Sequence, residues 1–61
     1  MFLNKNVNLT YLDITKNQIN YLNLTNNKSL QVIEACLNQL SSIDLSKNTN
    51  LAEVNLAQNK V

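Results

Sequence analysis

The sequence predicts a solenoid of short parallel β-strands joined by Asn-rich turns, with almost no helix. Apolar residues recur with a gap-free period of 21 residues from Leu9 onwards, and such a period is the signature of a repeat architecture. Within each period, apolar residues alternate with other residues over short runs, which is the spacing of a half-buried strand. The chain has no Gly or Pro but 13 Asn among its 61 residues. We therefore expect Asn to form the turns, because Asn tolerates left-handed backbone and caps turns with its side chain.

The period is clearest when the chain is written in rows of 21 that start at Leu9. The rows are LTYLDITKNQINYLNLTNNKS, LQVIEACLNQLSSIDLSKNTN and LAEVNLAQNKV. Alternation in the first half of each row predicts parallel strands near residues 11–14, 32–35 and 53–56, forming one small sheet. The matching columns are Leu9, Leu30 and Leu51 at position 1; Leu12, Ile33 and Val54 at position 4; Ile14, Ala35 and Leu56 at position 6; Asn17, Asn38 and Asn59 at position 9; and Ile19, Leu40 and Val61 at position 11.

The second half of each row repeats the motif of the first half. Both halves read apolar-x-apolar-x-x-Asn, as in LDITKN and LNLTNN of the first row. This predicts a second line of extended segments near 22–24 and 43–45. An amide side chain both donates and accepts, so we expect stacked inward Asn residues to satisfy turn backbone groups as asparagine ladders. One ladder is Asn17, Asn38 and Asn59, and the other is Asn6, Asn27 and Asn48.

The pattern LxxLxLxxNxL followed by LxLxxN resembles the leucine-rich repeat family. Its doubled 21-residue form is similar to a bacterial subclass with the consensus LxxLxLxxNxLxxLDLxxNxx, most closely in the segment SIDLSKN of residues 42–48. The resemblance covers essentially the whole chain. It implies a parallel β solenoid and, by family habit, a binding surface, but no particular partner.

The chain departs from this pattern at residues 34–37, which read Glu-Ala-Cys-Leu. Ala35 stands where a large aliphatic residue is expected, and Cys36 and Leu37 stand where exposed residues are expected. Two interpretations are open. Either Cys36 or Leu37 turns inward to fill the space that Ala35 leaves, or both lie exposed as an apolar contact patch.

The register divides the chain into one segment, residues 1–61, that is uncapped at both ends. Residues 1–8 form a partial repeat, 9–29 and 30–50 are repeats, and 51–61 is a second partial repeat. Repeat arrays usually end in polar capping units, so we expect a fragment of a longer repeat protein. The alternative is a small stand-alone protein whose ends stack on other copies.

End-to-end self-association is expected in either case, because each end exposes a cross-section of the core. Met1 and Leu3 are predicted to line one end, and Leu56 and Val61 the other.

Composition narrows the classes of function. Five Lys against four acidic residues give a formal charge of +1, which offers no basic footprint for nucleic acid. No apolar run is long enough to span a membrane. With one Cys and no His, we expect no disulfide, metal site, cofactor or catalytic residue, and therefore no enzyme. The N-terminal residues lack the features of an export signal. The location stays open, and a cell-surface or secreted place is possible if the chain belongs to a longer protein.

The outward positions of the first strand vary most between rows, and repeat scaffolds place recognition in such positions. We therefore expect a module that binds a protein or another macromolecular ligand. The alternative is a structural or orphan fragment with no partner of its own. The predicted contact residues are Tyr11, Asp13, Lys16, Val32, Glu34, Leu37, Glu53 and Asn55.

Overall fold

A computed structural model describes residues 1–60 and contains one three-stranded parallel sheet. The strands are β1 (Tyr11–Asp13), β2 (Val32–Glu34) and β3 (Glu53–Asn55), and they lie side by side in the order β1-β2-β3. Residues 1–60 contain no helix. The three strands predicted from the period are therefore confirmed, each in a shorter form. Val61, predicted to be apolar at position 11, lies outside the described residues.

The strands pair with an offset of 21 residues, which is the period of the sequence. Leu12 is the Cα partner of Ile33, and Ile33 is the partner of Val54. Pairing continues past the strand ends, since the Ile14 N–H donates to the Glu34 carbonyl (2.8 Å). A slip of one residue would move every apolar side chain to the opposite face of the sheet. The apolar columns therefore fix this register.

Apolar side chains from successive rows form one core, and those of the middle row are the most deeply buried. Ile33 is fully buried, Leu12 is 8% exposed and Val54 is 40% exposed, although the three share a column. The middle row has neighbours on both sides, whereas the outer rows have one. The buried cluster consists of Leu12, Ile14, Leu22, Leu24, Leu30, Ile33, Ala35 and Leu40.

The second line of extended segments is present only in part. Phe2 and Asn23 form an isolated parallel bridge, but residues 43–45 form no strand. Tight turns follow these segments: the Asn27 N–H donates to the Leu24 carbonyl (3.0 Å), and Asn48 repeats that bond to Leu45 (3.0 Å). These turns use the N–H groups of Asn27 and Asn48 locally, so those two groups do not join one row to the next. We call residues 1–8, 20–29 and 41–50 the turn side of the molecule.

The turns use Asn in only one of the two ways that the sequence predicted. The left-handed backbone falls on Lys16, Leu37 and Gln58, with φ of 63°, 59° and 57°, and on Gln18, with φ of 56°. The first three residues occupy the same position in successive rows. No Asn among residues 1–60 has a positive φ. The expectation that Asn supplies the left-handed conformation is therefore wrong. The expectation that Asn caps turns with its side chain is confirmed at Asn23 and Asn55, whose Oδ1 atoms accept from the N–H groups of Thr25 and Ala57.

Candidate binding face

Six of the eight predicted contact residues come together on the sheet as two sets of three, and each set runs across the three strands. Parallel pairing aligns Tyr11 with Val32 and Val32 with Glu53, and it also aligns Asp13, Glu34 and Asn55. Lys16 and Leu37 lie in the turns that follow β1 and β2, at equivalent left-handed positions. We call these eight residues the contact face.

Most of the contact face is open to solvent. Tyr11 is 56% exposed and Leu37 is 38% exposed, whereas Val32 and Glu34 are half-buried because β2 lies between two other strands. Asp13, Lys16, Glu53 and Asn55 are exposed as well. The face therefore offers an aromatic ring and two aliphatic side chains among charged groups.

The contact face is acidic. It carries the carboxylates of Asp13, Glu34 and Glu53 against the ammonium group of Lys16, so its formal charge is −2, although the whole chain is +1. The Asp13 and Glu34 positions are adjacent across β1 and β2. A concentration of one sign of charge favours ligands of the opposite sign.

Two polar residues of the contact face also cap their own turns. Asp13 Oδ1 accepts a hydrogen bond from the Thr15 N–H (3.1 Å), and Asn55 Oδ1 accepts one from the Ala57 N–H (3.1 Å). The backbone hydrogen bond from Thr15 lowers the pKa of Asp13 below its ordinary value of 3.8, because it stabilises the carboxylate. These caps orient the two side chains before any ligand arrives.

The departure at residues 34–37 takes an intermediate form. Ala35 is buried, Cys36 is half-buried, and Leu37 is exposed. The Cys36 thiol lies 3.6 Å from Thr15 Oγ1, the side chain at the equivalent position of the preceding row. Leu37 therefore does not fill the space beside Ala35, and it contributes apolar surface to the contact face.

The first Asn column, Asn17, Asn38 and Asn59, holds the turns after the strands in place. Asn38 Nδ2 donates to the carbonyls of Ile14 (2.9 Å) and Ala35 (3.1 Å). Its Oδ1 accepts from the N–H groups of Asn17 (3.1 Å) and Ile19 (3.0 Å). Asn59 repeats the pattern one row on, donating to the Ala35 carbonyl (2.8 Å). The amides bond to backbone groups, so they serve the fold.

The second Asn column, Asn6, Asn27 and Asn48, is only half satisfied. Asn27 Nδ2 donates to the carbonyls of Leu3 and Asn6 (2.9 Å each). Asn48 makes the equivalent pair of bonds to Leu24 (3.0 Å) and Asn27 (2.9 Å). The buried Oδ1 atoms of Asn27 and Asn48 have no partner among residues 1–60. The tight turns explain the difference, because they already use the nearby N–H groups.

A small groove on the turn side was not foreseen from the sequence. It has a volume of about 160 Å³ and lies between residues 21–25 and 42–44, where the two rows do not pair. Tyr21 and Phe2 stand at this side, with ring centroids 5.6 Å apart in an edge-to-face contact. Two of the chain's three aromatic residues thus contact each other on the turn side.

The described part of the chain gives no indication of a metal centre. It holds no group of three or more His, Cys, Asp or Glu side chains that could bind a metal ion. No helix within residues 1–60 is long and apolar enough to cross a membrane.

Comparisons of this chain with protein-family models, curated protein sequences and solved structures found no match.

Proposed function

We propose that this chain is part of a leucine-rich-repeat solenoid whose contact face binds a protein partner. One observation carries the proposal: the parallel register gathers the positions that vary between rows onto one exposed surface. The positions that stay constant between rows form the core and the Asn hydrogen bonds. Repeat scaffolds that bind other molecules divide their positions in this way.

Three features support the repeat assignment. The strands follow one another in chain order with a constant offset of 21 residues. Both Asn columns bond to the backbone of the preceding row. The apolar columns face one common core. These relations are those of stacked units that each contact only their neighbours.

The chemistry of the contact face suggests the kind of partner. Its formal charge of −2 favours a protein surface with Lys or Arg side chains. Tyr11, Val32 and Leu37 provide its apolar area, and Tyr is among the residues that dominate binding energies at interfaces. No residue of the chain is proposed to catalyse a reaction.

A structural role without a partner is the second candidate. Asp13 and Asn55 cap their turns, so part of the polarity of the contact face serves the fold by itself. This alternative expects substitutions on the exposed sheet face to alter stability and nothing else.

Two matched tyrosines test the proposal. Tyr11 lies on the contact face and Tyr21 on the turn side, and they are 56% and 52% exposed. Partners captured from the source cell with the immobilised chain would be purified and titrated directly against wild type, Tyr11→Ser and Tyr21→Ser. We expect Tyr11→Ser to weaken binding about tenfold or more, as for an aromatic anchor, and Tyr21→Ser to leave it unchanged. Equal affinities for the two variants would contradict the assignment of the face.

A further inference from the structure

The two outer edges of the sheet, which pair with no strand among residues 1–60, carry complementary backbone groups. In the paired rows, the Ile14 and Ala35 N–H groups donate forward to the carbonyls of Glu34 (2.8 Å) and Asn55 (2.9 Å). Leu56 occupies the same position in the β3 row, and its N–H has no partner among residues 1–60. At the opposite edge, Asp13 occupies the position of Glu34 and Asn55. The outer edge of β3 thus offers the donor that the carbonyl on the outer edge of β1 would accept.

A second donor and acceptor follow the same rule. The N–H groups of Lys16 and Leu37 donate to the carbonyls of Cys36 (3.1 Å) and Ala57 (3.0 Å). Gln58 is the next residue in the donor column, and Thr15 is the first in the acceptor column. The edges therefore match at two consecutive hydrogen-bonding positions, with the strand direction preserved.

The hydrogen bonds of the first Asn column also run in one direction along the stack of rows. Each amide reaches back one row, as Asn38 does to Ile14 and Asn59 does to Ala35. The next carbonyl in that series belongs to Leu56, which has no amide partner from a following row among the described residues. Asn17 of another copy holds an amide at the matching place, and Asn17 is exposed in the single chain.

The charges at such a joint are also compatible. Within the chain, Asp13 lies beside Glu34 across the strands, which places like charges together. At a joint between copies, Asp13 would lie beside the neutral Asn55 instead. Opposed like charges across strands are destabilising, so the joint avoids a cost that the chain itself bears.

We propose that the outer edge of β3 binds the outer edge of β1 of a second copy, head to tail, with the 21-residue register continued across the joint. Residues 1–8 of the second copy then lie against residues 43–50, at the spacing that residues 22–29 keep from 1–8. The contact joins different surfaces of the two copies, so it leaves a free edge at each end and extends to longer assemblies. It uses the sheet edges, and it holds whether or not the contact face binds another protein.

Sedimentation velocity of the purified 61-residue chain, over about 5 to about 500 µM, tests the association. We expect the mean mass to rise with concentration beyond that of a dimer. Asn55→Asp keeps the side-chain oxygen that caps Ala57 but places a carboxylate against Asp13 of the next copy. This change should weaken association roughly two- to fivefold, the effect of one opposed like-charge pair.

A charge exchange provides the matched control. Asp13→Asn combined with Asn55→Asp restores a neutral partner at the joint, and both substitutions keep the oxygen that caps the turn. The single and double variants both place the introduced carboxylate beside Glu34 within the chain, so that contact cannot explain a difference between them. The double variant should associate as wild type does. A wild-type chain that stays monomeric at the highest concentration, or a double variant no better than the single one, would overturn the proposal.

Cross-linking tests the geometry separately. In a Cys36→Ser background, Asp13→Cys and Asn55→Cys lie two strands apart within one chain, about 10 Å, which is beyond disulfide reach. Across the joint they are on neighbouring strands, about 5 Å apart. Oxidation should give a ladder of covalent oligomers, whereas Asn55→Cys alone should stop at a dimer. Association without that ladder would exclude the head-to-tail arrangement. Both experiments use the chain alone, so failure to find a protein partner leaves their outcome unaffected.

Discussion

Leu37 holds a backbone conformation that its residue type disfavours. Its φ of 59° lies in the left-handed region, where the Cβ of an L-residue crowds the following carbonyl. The equivalent residues Lys16 and Gln58 are also left-handed, so the turn, and not the side chain, requires this conformation. Because Leu37 is exposed, little packing compensates for the cost.

Leu37→Asn should therefore stabilise the fold. Asn tolerates the left-handed region better than Leu, and we expect the free energy of unfolding to rise by about 0.5–1 kcal/mol. Urea unfolding followed by circular dichroism measures the change. Gln39→Asn is the control, since Gln39 has no positive φ and should gain nothing. A loss of stability in Leu37→Asn would mean that Leu37 packs more than its exposure indicates.

Replacing the buried asparagines should give unequal losses. Asn38→Leu removes the acceptor of the Asn17 and Ile19 N–H groups, at a cost of about 1–3 kcal/mol for each buried group left unpaired. The Ile14 carbonyl loses one of its two amide donors and keeps that of Asn17. Asn48→Leu removes two donors but also an Oδ1 that has no partner within residues 1–60. We expect Asn38→Leu to lose more free energy of unfolding than Asn48→Leu. If Asn38→Leu is as stable as wild type, the hydrogen bonds of this Asn column contribute no net stability.

Acid should weaken the fold through two turn caps. Hydrogen bonds from Thr15 lower the pKa of Asp13, and those from Ser46 lower that of Asp44, both from an ordinary value of 3.8. A lowered folded-state pKa means that the stabilising contribution is present above the ordinary value and is lost as the pH falls through the folded value. We expect the urea midpoint, measured from pH 6 down to about 2, to decrease once the pH is below the ordinary value of 3.8. The Asp13→Asn and Asp44→Asn double variant should have a flatter profile, and an unchanged profile would show that the caps contribute no stability.

At the scale of single residues, periodicity predicted positions better than conformations. All six Asn residues of the two columns were expected to face inward, and Asn27, Asn38 and Asn48 are buried. The expectation is wrong for Asn6 and Asn17, the first members of the two columns, which are exposed. The left-handed residues could not be predicted, since the geometry of a shared turn places them on Lys16, Leu37 and Gln58 regardless of their chemistry.

The strands of the sheet differ in how much they depend on their neighbours. Ile33 on β2 is fully buried, but Val54 on β3 is 40% exposed at the same position of its row. Ile33→Ala should cost about 2–5 kcal/mol, as expected for a large buried side chain. Val54→Ala should cost clearly less, because it already contacts water. Urea midpoints of the two variants measure this, and equal losses would mean that β3 is covered in solution.

Elements with alternating apolar residues were predictable, but the turn side was not. The pattern of residues 22–24 matches that of 12–14, yet only a single bridge forms there. The tight turns after Leu24 and Leu45 bind N–H groups locally. The alternation of apolar and polar side chains does not predict which backbone N–H groups bond within a turn. For the same reason the groove beside Tyr21 could not be foreseen.

As a whole, the molecule is as compact as an ordinary small globular protein. Its accessible surface is 4002 Å², close to the roughly 4,000 Å² that surface scaling gives for its mass. Its radius of gyration is 10.5 Å. The alignment of the contact face could be predicted at this scale, because six of its residues differ by multiples of 21 and therefore meet in rows. The burial of the contact-face residues on β2 depends on the neighbouring strands.

Lengthening the array should stabilise it. A second copy of residues 30–50 inserted after Asn50 adds one row with the same apolar columns and Asn positions. If rows stack as repeats, the urea midpoint and the dependence of the free energy on denaturant should both increase, because each added row buries a new interface. The control is an insert of the same composition in scrambled order, which should lower the midpoint. An unchanged midpoint with the ordered insert would contradict the repeat assignment.

The constant offset of 21 residues between paired strands also bears on how the chain is made. Every strand finds its partner the same short distance back along the polypeptide, so closing each successive loop costs the same entropy. A nascent chain leaving the ribosome needs no distant segment to complete the pairing already begun. β1 and β2 can therefore associate while the residues of β3 are still being translated, and each later row adds to an edge that is already in place.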